Sequence, residues 1–297
     1  MTRATFRKAV RAAWPILIAA PCLLALAAAA QGLEDNQLRV CADPDDLPSS
    51  NEKSQGFENK IAEIVAHEMG AELEYYWWPY QRGLVRNTLK LDKCDVLISI
   101  PKGYDPVTWT KAYYRSAYVL VYRSDRKLDL QSLDDTALRN LKIGAHVNTP
   151  PFDALGARDL GANIVNYRMF YDPRDPDPSR RPQKLLEDLA SGAFDVALAW
   201  GPLAGFFAKQ NPSPALTIVP LADDPKLPET YEFSMGVQKG NKELKARLEA
   251  VLDARQGDIR KILEDYGVPL LPLKPPGPAV TEKDMPAGSH KHDDNND

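Results

Sequence analysis

The chain has 297 residues, 44% hydrophobic and 26% charged, an ordinary globular balance that excludes a collagenous, disordered or many-spanned membrane protein. The formal charge is −4, but four of the 37 basic residues, Arg3, Arg7, Lys8 and Arg11, precede the first acid, Glu34, which leaves 33 bases against 41 acids in the rest. An acidic body with no basic cluster argues against a nucleic-acid partner, because that affinity is carried by Lys and Arg neutralising phosphates.

Residues 1–30 read as a signal peptide: a cationic start, an apolar stretch from Ala13 to Ala30 and small residues before the polar Gln31. The alternative is an uncleaved anchor, which the stretch is nearly long enough to form. Two prolines and the closing alanine run favour cleavage near Ala30, so the mature protein is expected to be exported, without a membrane attachment; the periplasm is the compartment that the resemblance given below implies. Cys22 leaves with the signal. Cys41 and Cys94 are then the only thiols in an oxidising compartment and are expected to pair; two buried, unpaired thiols are the alternative.

Leu38 to Asp43 is a short apolar run ending in turn residues, a buried first strand. Ile61, Ile64, Val65 and Met69 recur at helical spacing and Gly70 stops the helix. Ala71–Trp78 is strand-like, Arg82–Lys90 helical, Asp95–Ser99 a buried strand, and the aromatic, β-branched run Tyr113–Tyr122 another. The alternation resumes with a strand Leu141–His146, a helix Phe152–Leu160, a strand Asn163–Phe170, a helix Pro182–Ser191 and a strand Phe194–Ala199. Glu232–Gln238 reads as an isolated strand, followed by one long helix from Lys242 to Tyr266. Repeated strand and helix predicts an α/β fold with largely parallel sheets. The expected organisation is a first lobe of residues 31–123 plus 224–271, a second lobe of 124–223, two hinge crossings with a cleft between the lobes, and a disordered tail, 272–297. The loop Asp172–Pro182 carries acids without calcium-loop spacing, so no metal is expected, and His290 and His292 in the tail read as solvated.

Catalytic patterns are absent from the sequence: no Gly-x-Ser-x-Gly elbow, no His-Glu-x-x-His, and Ala162-Asn163 where a phosphate loop would need Lys-Ser/Thr. His67 reads as a helix surface residue. His146 follows the strand that opens the second lobe and is a cleft candidate, with an ordinary loop histidine as the plainer reading. The other unusual feature is aromatic density. In Tyr75-Tyr76-Trp77-Trp78-Pro79-Tyr80 strand alternation turns about half of the rings inward. Residues just past strand ends face the ligand site of such sheets, which makes Trp78, Tyr80, Tyr104, Trp109 and Trp200 cleft or interface candidates; Trp77 and Arg82 of the same segment join them.

This order of elements resembles the type II periplasmic solute-binding fold of the polar amino-acid class over nearly the whole mature chain. The segments RVCADPDDLPSSN, GFENKIAEIVA, YYWWPYQRGLVRNTL, KCDVLISIPKGYDPV and KAYYRSAYVLVYR are more specifically similar to the J proteins encoded beside periplasmic quinoprotein methanol dehydrogenases. The resemblance implies a non-enzymatic accessory or activating partner of a dehydrogenase that uses pyrroloquinoline quinone (PQQ), with the quinone and metal belonging to that enzyme, no cofactor in this chain, and a monomeric state. The departures from amino-acid binders fit: Asp105-Pro-Val-Thr-Trp109 stands where those carry a carboxylate-binding Arg, Trp200 where they carry an ammonium-binding acid, and Pro48-Ser49 where they carry a stacking aromatic. A zwitterion would be costly to bury there, so an apolar ligand or a protein segment suits the cleft better. Two alternatives stand beside this: a transporter's receptor for a small, non-zwitterionic ligand, and a periplasmic dehydratase-like enzyme using Asp43, Glu58 and His146 as acid-base groups.

Overall fold

A computed structural model describes residues 36–80, 83–169, 175, 177–223 and 227–274. The signal peptide with Cys22, Arg82, part of the acidic proline loop and nearly all of the tail, with His290 and His292, lie outside the described residues.

The first strand, β1 (Gln37–Ala42), leads into a small hairpin of β2 (Asp45–Asp46) and β3 (Ser50–Asn51). Helix α1 (Phe57–Met69) follows because Phe57, Ile61, Ala62, Val65 and Ala66 place one buried stripe on it, and it ends where Gly70 takes the left-handed conformation at φ 61°. The chain returns as β4 (Glu72–Trp77), makes the short α2 (Leu84–Asn87) and a 3-10 turn (Leu89–Leu91), and continues as β5 (Val96–Pro101), β6 (Thr108–Trp109) and β7 (Tyr114–Arg123). Then come β8 (Ile143–His146), α3 (Pro150–Gly156), β9 (Ile164–Tyr167), α4 (Lys184–Ser191), β10 (Val196–Trp200), α5 (Gly201–Gln210) and β11 (Leu216–Pro220). The chain closes with β12 (Thr230–Val237), α6 (Lys242–Ala254) and α7 (Gln256–Asp265).

The strands run β4-β1-β5-β12-β7-β10-β8-β9, with β6 on β12 and β11 on β7. The first lobe is built on β4, β1 and β5, the second on β10, β8 and β9. Strand β7 serves both: Tyr114 to Ala117 pair with β12, and Tyr118 onward pair with β10 and β11. Strands in both lobes are apolar in succession because each sheet is covered on both faces. In β10, for example, Val196 and Leu198 pack with Leu120, Ile143 and Leu155, while Ala197 and Ala199 pack with Val119, Leu185 and Leu189.

Three expectations are corrected. The sheet is mixed rather than largely parallel, because β12 runs antiparallel to β5 and β7, and β10 antiparallel to β7. The strand that looked isolated, β12, is instead hydrogen-bonded to β5, β6 and β7 and occupies the middle of the sheet. The long C-terminal helix is two helices meeting at Arg255. The apolar stripe Leu244, Leu248, Val251 and Leu252 finds Arg255 and Gln256 where its next turn should be, and resumes only at Ile259 and Leu263.

Helix α5 and strand β11 were not expected. Two glycines and a proline disguise α5, but proline suits a first helical turn, and the glycines permit close approach. A Cβ on Gly205 would lie 1.8 Å from the Gly267 carbonyl oxygen. Helix α5 therefore lies against the end of α7, where Phe206 stacks on Tyr266 at 5.8 Å and Lys209 Nζ donates to the Glu264 and Asp265 carbonyls.

Candidate functional site

The first lobe gathers carboxylates where β1 ends. Asp43 is buried, and its carboxylate organises the turn around it: Oδ1 accepts from the Asp45 backbone N–H at 2.9 Å and Oδ2 from that of Tyr80 at 2.5 Å. Tyr80 in turn donates its hydroxyl to Glu58 Oε2 at 2.8 Å, in the first turn of α1. Ser99 of β5 and Tyr113 ahead of β7 continue the network with hydroxyl oxygens 2.8 Å apart, and Tyr113 donates to the Ile98 carbonyl at 3.0 Å. Five segments of the chain thus converge through side-chain polar groups.

Burial dominates the electrostatics. It lifts Glu58 from 4.5 to about 7, against the hydrogen bonds from Tyr80 and Ser99 and with the help of the Asp43 charge. Burial also raises Asp43, and it raises Asp46 well above its ordinary value, where the charges of Asp43 and Glu58 add to it. The Tyr80 phenol is pushed up by burial and then by Glu58. Among the described residues no lysine or arginine contributes to holding these three acids ionised. Such a mouth suits a positively charged group and repels the carboxylate of a zwitterion.

The second lobe supplies a guanidinium. Arg181 Nη1 lies 3.1 Å from Asp45 Oδ2 across the lobes, both side chains about a third exposed. The loop carrying Arg181 is fixed by its neighbour, Pro182, whose carbonyl accepts from His146 Nε2 at 3.0 Å. That bond assigns the proton to Nε2. His146 is 1% exposed, and burial lowers it to about 4, so the ring is neutral. Arg181→Ala is expected to raise the radius of gyration in small-angle scattering, and high salt to do the same to the parent protein, because exposed pairs contribute about 0–1 kcal/mol and are screened. Superimposable scattering curves would show that this pair does not hold the lobes.

The expected site residues fall into separate groups. Tyr80, Tyr104 and Trp109 pack around the cluster of Cys41, Val85, Leu89, Cys94, Leu97 and Ile100. Trp77 stacks on Tyr75 at 4.6 Å against the α1 core, and Trp78 is half-buried with its backbone N–H on the Ala42 carbonyl. Trp200 sits at the junction of the lobes, 5.2 Å from Tyr118, 6.0 Å from Tyr231 and 5.7 Å from Phe233. Asp43 and Glu58 are joined through Tyr80, but His146 is governed by burial and Pro182 alone, so the acid-base trio is not assembled. Cys41 and Cys94 are bonded, with Cα atoms 5.5 Å apart. Asp46, Ser99, Tyr113 and Arg181 escaped the sequence reading. Only Asp46, one of three acids within four residues, left a local signal.

No protein-family model matches the chain. Protein MoxJ of Methylorubrum extorquens is 32% identical over 252 residues, 80% of this chain and 82% of that one. Of the solved structures, the periplasmic binding protein XoxJ from Methylobacterium extorquens AM1 is 41% identical, covers 80% of this chain and 100% of its own, and superposes with a TM-score of 0.66. MxaJ from Methlophaga aminisulfidivorans MPT is 29% identical with a TM-score of 0.71, covering 79% of this chain and 100% of its own.

Proposed function

Because the chain belongs to the MoxJ family of periplasmic binding proteins associated with methanol oxidation, we propose that it is a non-enzymatic accessory or activating partner of a PQQ-dependent methanol dehydrogenase. The quinone and the metal belong to that enzyme. The observation that carries this reading beyond the family is at the mouth of the first lobe, where one acid, Asp45, pairs with a guanidinium of the chain itself, Arg181. A solute receptor needs a ligand to join its lobes, whereas this chain joins them with its own side chains, which frees the outer surface and rim aromatics to address a protein.

Calorimetric titration of the signal-free protein into purified methanol dehydrogenase, apo and cofactor-loaded, at two salt concentrations, tests the proposal. Saturable binding that weakens with salt is expected, and preference for the apo enzyme would point to a role in maturation. Heats of dilution with both forms would reject the partnership. A receptor for a small cationic or apolar solute is the second reading, favoured by the same acidic mouth, and a stability screen with amines and alcohols would then decide it.

A further inference from the structure

Two stretches of chain carry the backbone between the lobes, β7 and the return from β11 to β12. Lobes joined in that way alone move relative to each other by default. The segment 266–274, which follows α7, adds a third link that is not covalent. It belongs to the first lobe: Val268 is buried in that core, Tyr266 and Leu270 pack against it, and the Tyr266 hydroxyl donates to the Gln55 carbonyl at 2.6 Å. The segment also meets α5, whose Leu203 and Ala204 are buried in the core of the second lobe.

The contact with α5 is closely built. Phe207 packs on the core of its own lobe, whereas Phe206 turns to Tyr266 and stacks on it at an interplanar angle of 14°; Tyr266 in turn meets Phe57 of α1 edge-on at 6.1 Å. Lys209 Nζ reaches the end of α7, where a helix leaves carbonyls without partners and carries its negative pole, and donates to the Glu264 oxygen at 2.6 Å and the Asp265 oxygen at 3.0 Å. Gly205 and Gly267 leave no slack: a Cβ on either would lie within 2.6 Å of the other's carbonyl oxygen. Further along, the segment is fastened to both covalent links. Ser116 Oγ of β7 donates to the Pro269 carbonyl at 2.8 Å, the Leu271 N–H donates to the Arg115 carbonyl at 2.9 Å, and the Lys274 ammonium lies 2.9 Å from Asp223 in the return to β12.

Packed backbone does not compress, so α5 and the end of α7 cannot come closer, and moving them apart would break the ring stack and both lysine bonds. We propose that residues 266–274 form a strap that limits how far the lobes part. The Arg181–Asp45 pair at the mouth is a latch, the contact of α5 with α7 is the pivot, and release of the latch opens the mouth through a narrow angle without freeing the lobes. The inference goes beyond the accessory role and stands without it.

Double electron–electron resonance on the signal-free chain, with spin labels at Glu72→Cys of β4 and Asn166→Cys of β9, reads the separation of the lobes. Both positions are exposed, they lie on the two end strands of the sheet, and Cys41 and Cys94 are bonded to each other. With Arg181→Ala, a distance distribution as narrow as the parent's is expected, centred at or beyond the parent distance. Adding Phe206→Ala and Lys209→Ala is expected to make it roughly twice as wide and to extend it to longer distances. Tyr266→Leu on the same Arg181→Ala background cuts the stack from the first lobe and should act alike. Phe206 is half-buried and Lys209 exposed, and cooperative urea transitions read beside the distances verify the fold. A distribution already as wide in Arg181→Ala as in the strap variants would overturn the proposal, and so would strap variants as narrow as Arg181→Ala. Either result leaves the accessory role to the dehydrogenase titration.

Discussion

Replacing Cys41 and Cys94 together by alanine is expected to lower the free energy of unfolding by about 4 kcal/mol. The bridge spans 53 residues, and the chain-entropy cost released on cutting a loop of that length is of this size. Both sulfurs are buried among Val85, Leu89, Leu97 and Ile100, so alanine leaves no polar atom stranded, as serine would. Urea unfolding of the parent and the double variant measures the difference, and the denaturant slope should rise as well, because a denatured chain without the cross-link expands and exposes more surface. Hydrogen exchange should show where the loss falls first: amides from Leu84 to Cys94 should open before those of α1 or β12, since the bridge is the covalent tie between that segment and β1, beside the hydrogen bond from Arg39 to the Asp92 carbonyl. Coincident unfolding curves would mean that the cluster around the bridge, rather than the bridge, holds the segment.

The bridge was legible in the sequence because two thiols in an exported chain have few other fates, and so were most strands. Runs such as Val96–Ile98 and Val119–Tyr122 are apolar throughout because both faces are covered. What stayed hidden was set by distant partners. Strand β12 carries no mark of its neighbours, yet it pairs with strands some 110 to 140 residues earlier. Helix α5 reads poorly as a helix because Gly205 serves the close approach of the Gly267 carbonyl and Gly201 that of the Ala117 carbonyl, not helix propensity. Arg255 ends α6 by interrupting an apolar stripe, a signal present in the sequence but overridden by the length of helix-forming residues around it.

The site was less legible than the fold for the same reason. Aromatic residues announce themselves by rarity, but their places depend on which face of a strand turns inward: Trp77 goes to a stacked pair and Trp200 to the lobe junction. The carboxylate network is assembled from five segments, and each of its members is unremarkable locally. Asp43 and Glu58 stand out only as acids, and only the fold reveals that Tyr80 joins them.

Glu58 and His146 are expected to tilt the stability curve in opposite directions. Glu58 is raised from 4.5 to about 7, so the native state holds a proton that the unfolded chain has lost: its contribution is fully present below pH 4.5 and is lost as pH rises through 7. His146 is lowered from 6.5 to about 4, so the unfolded chain takes the proton first: its contribution is fully present above pH 6.5 and is lost as pH falls through 4. Each shift corresponds to about 3 kcal/mol across its window. Asp43 and Asp46 are shifted in the direction of Glu58, so the parent should be more stable near pH 5 than near pH 8. Glu58→Gln keeps an acceptor for the Tyr80 hydroxyl and removes the charge. Its stability relative to the parent should therefore rise by about 3 kcal/mol between pH 4.5 and 8, with an added gain from Asp46, whose shift the Glu58 charge helps to cause. His146→Gln keeps a donor for Pro182, and its relative stability should improve instead as pH falls below 6.5. Taking each variant against the parent at the same pH cancels every titrating group that is not coupled to the substituted one. Urea midpoints from pH 4 to 8 supply the test: a constant difference for Glu58→Gln would mean that Glu58 is charged in the folded protein at neutral pH, and the mouth of the first lobe would then need a cation that these residues do not provide.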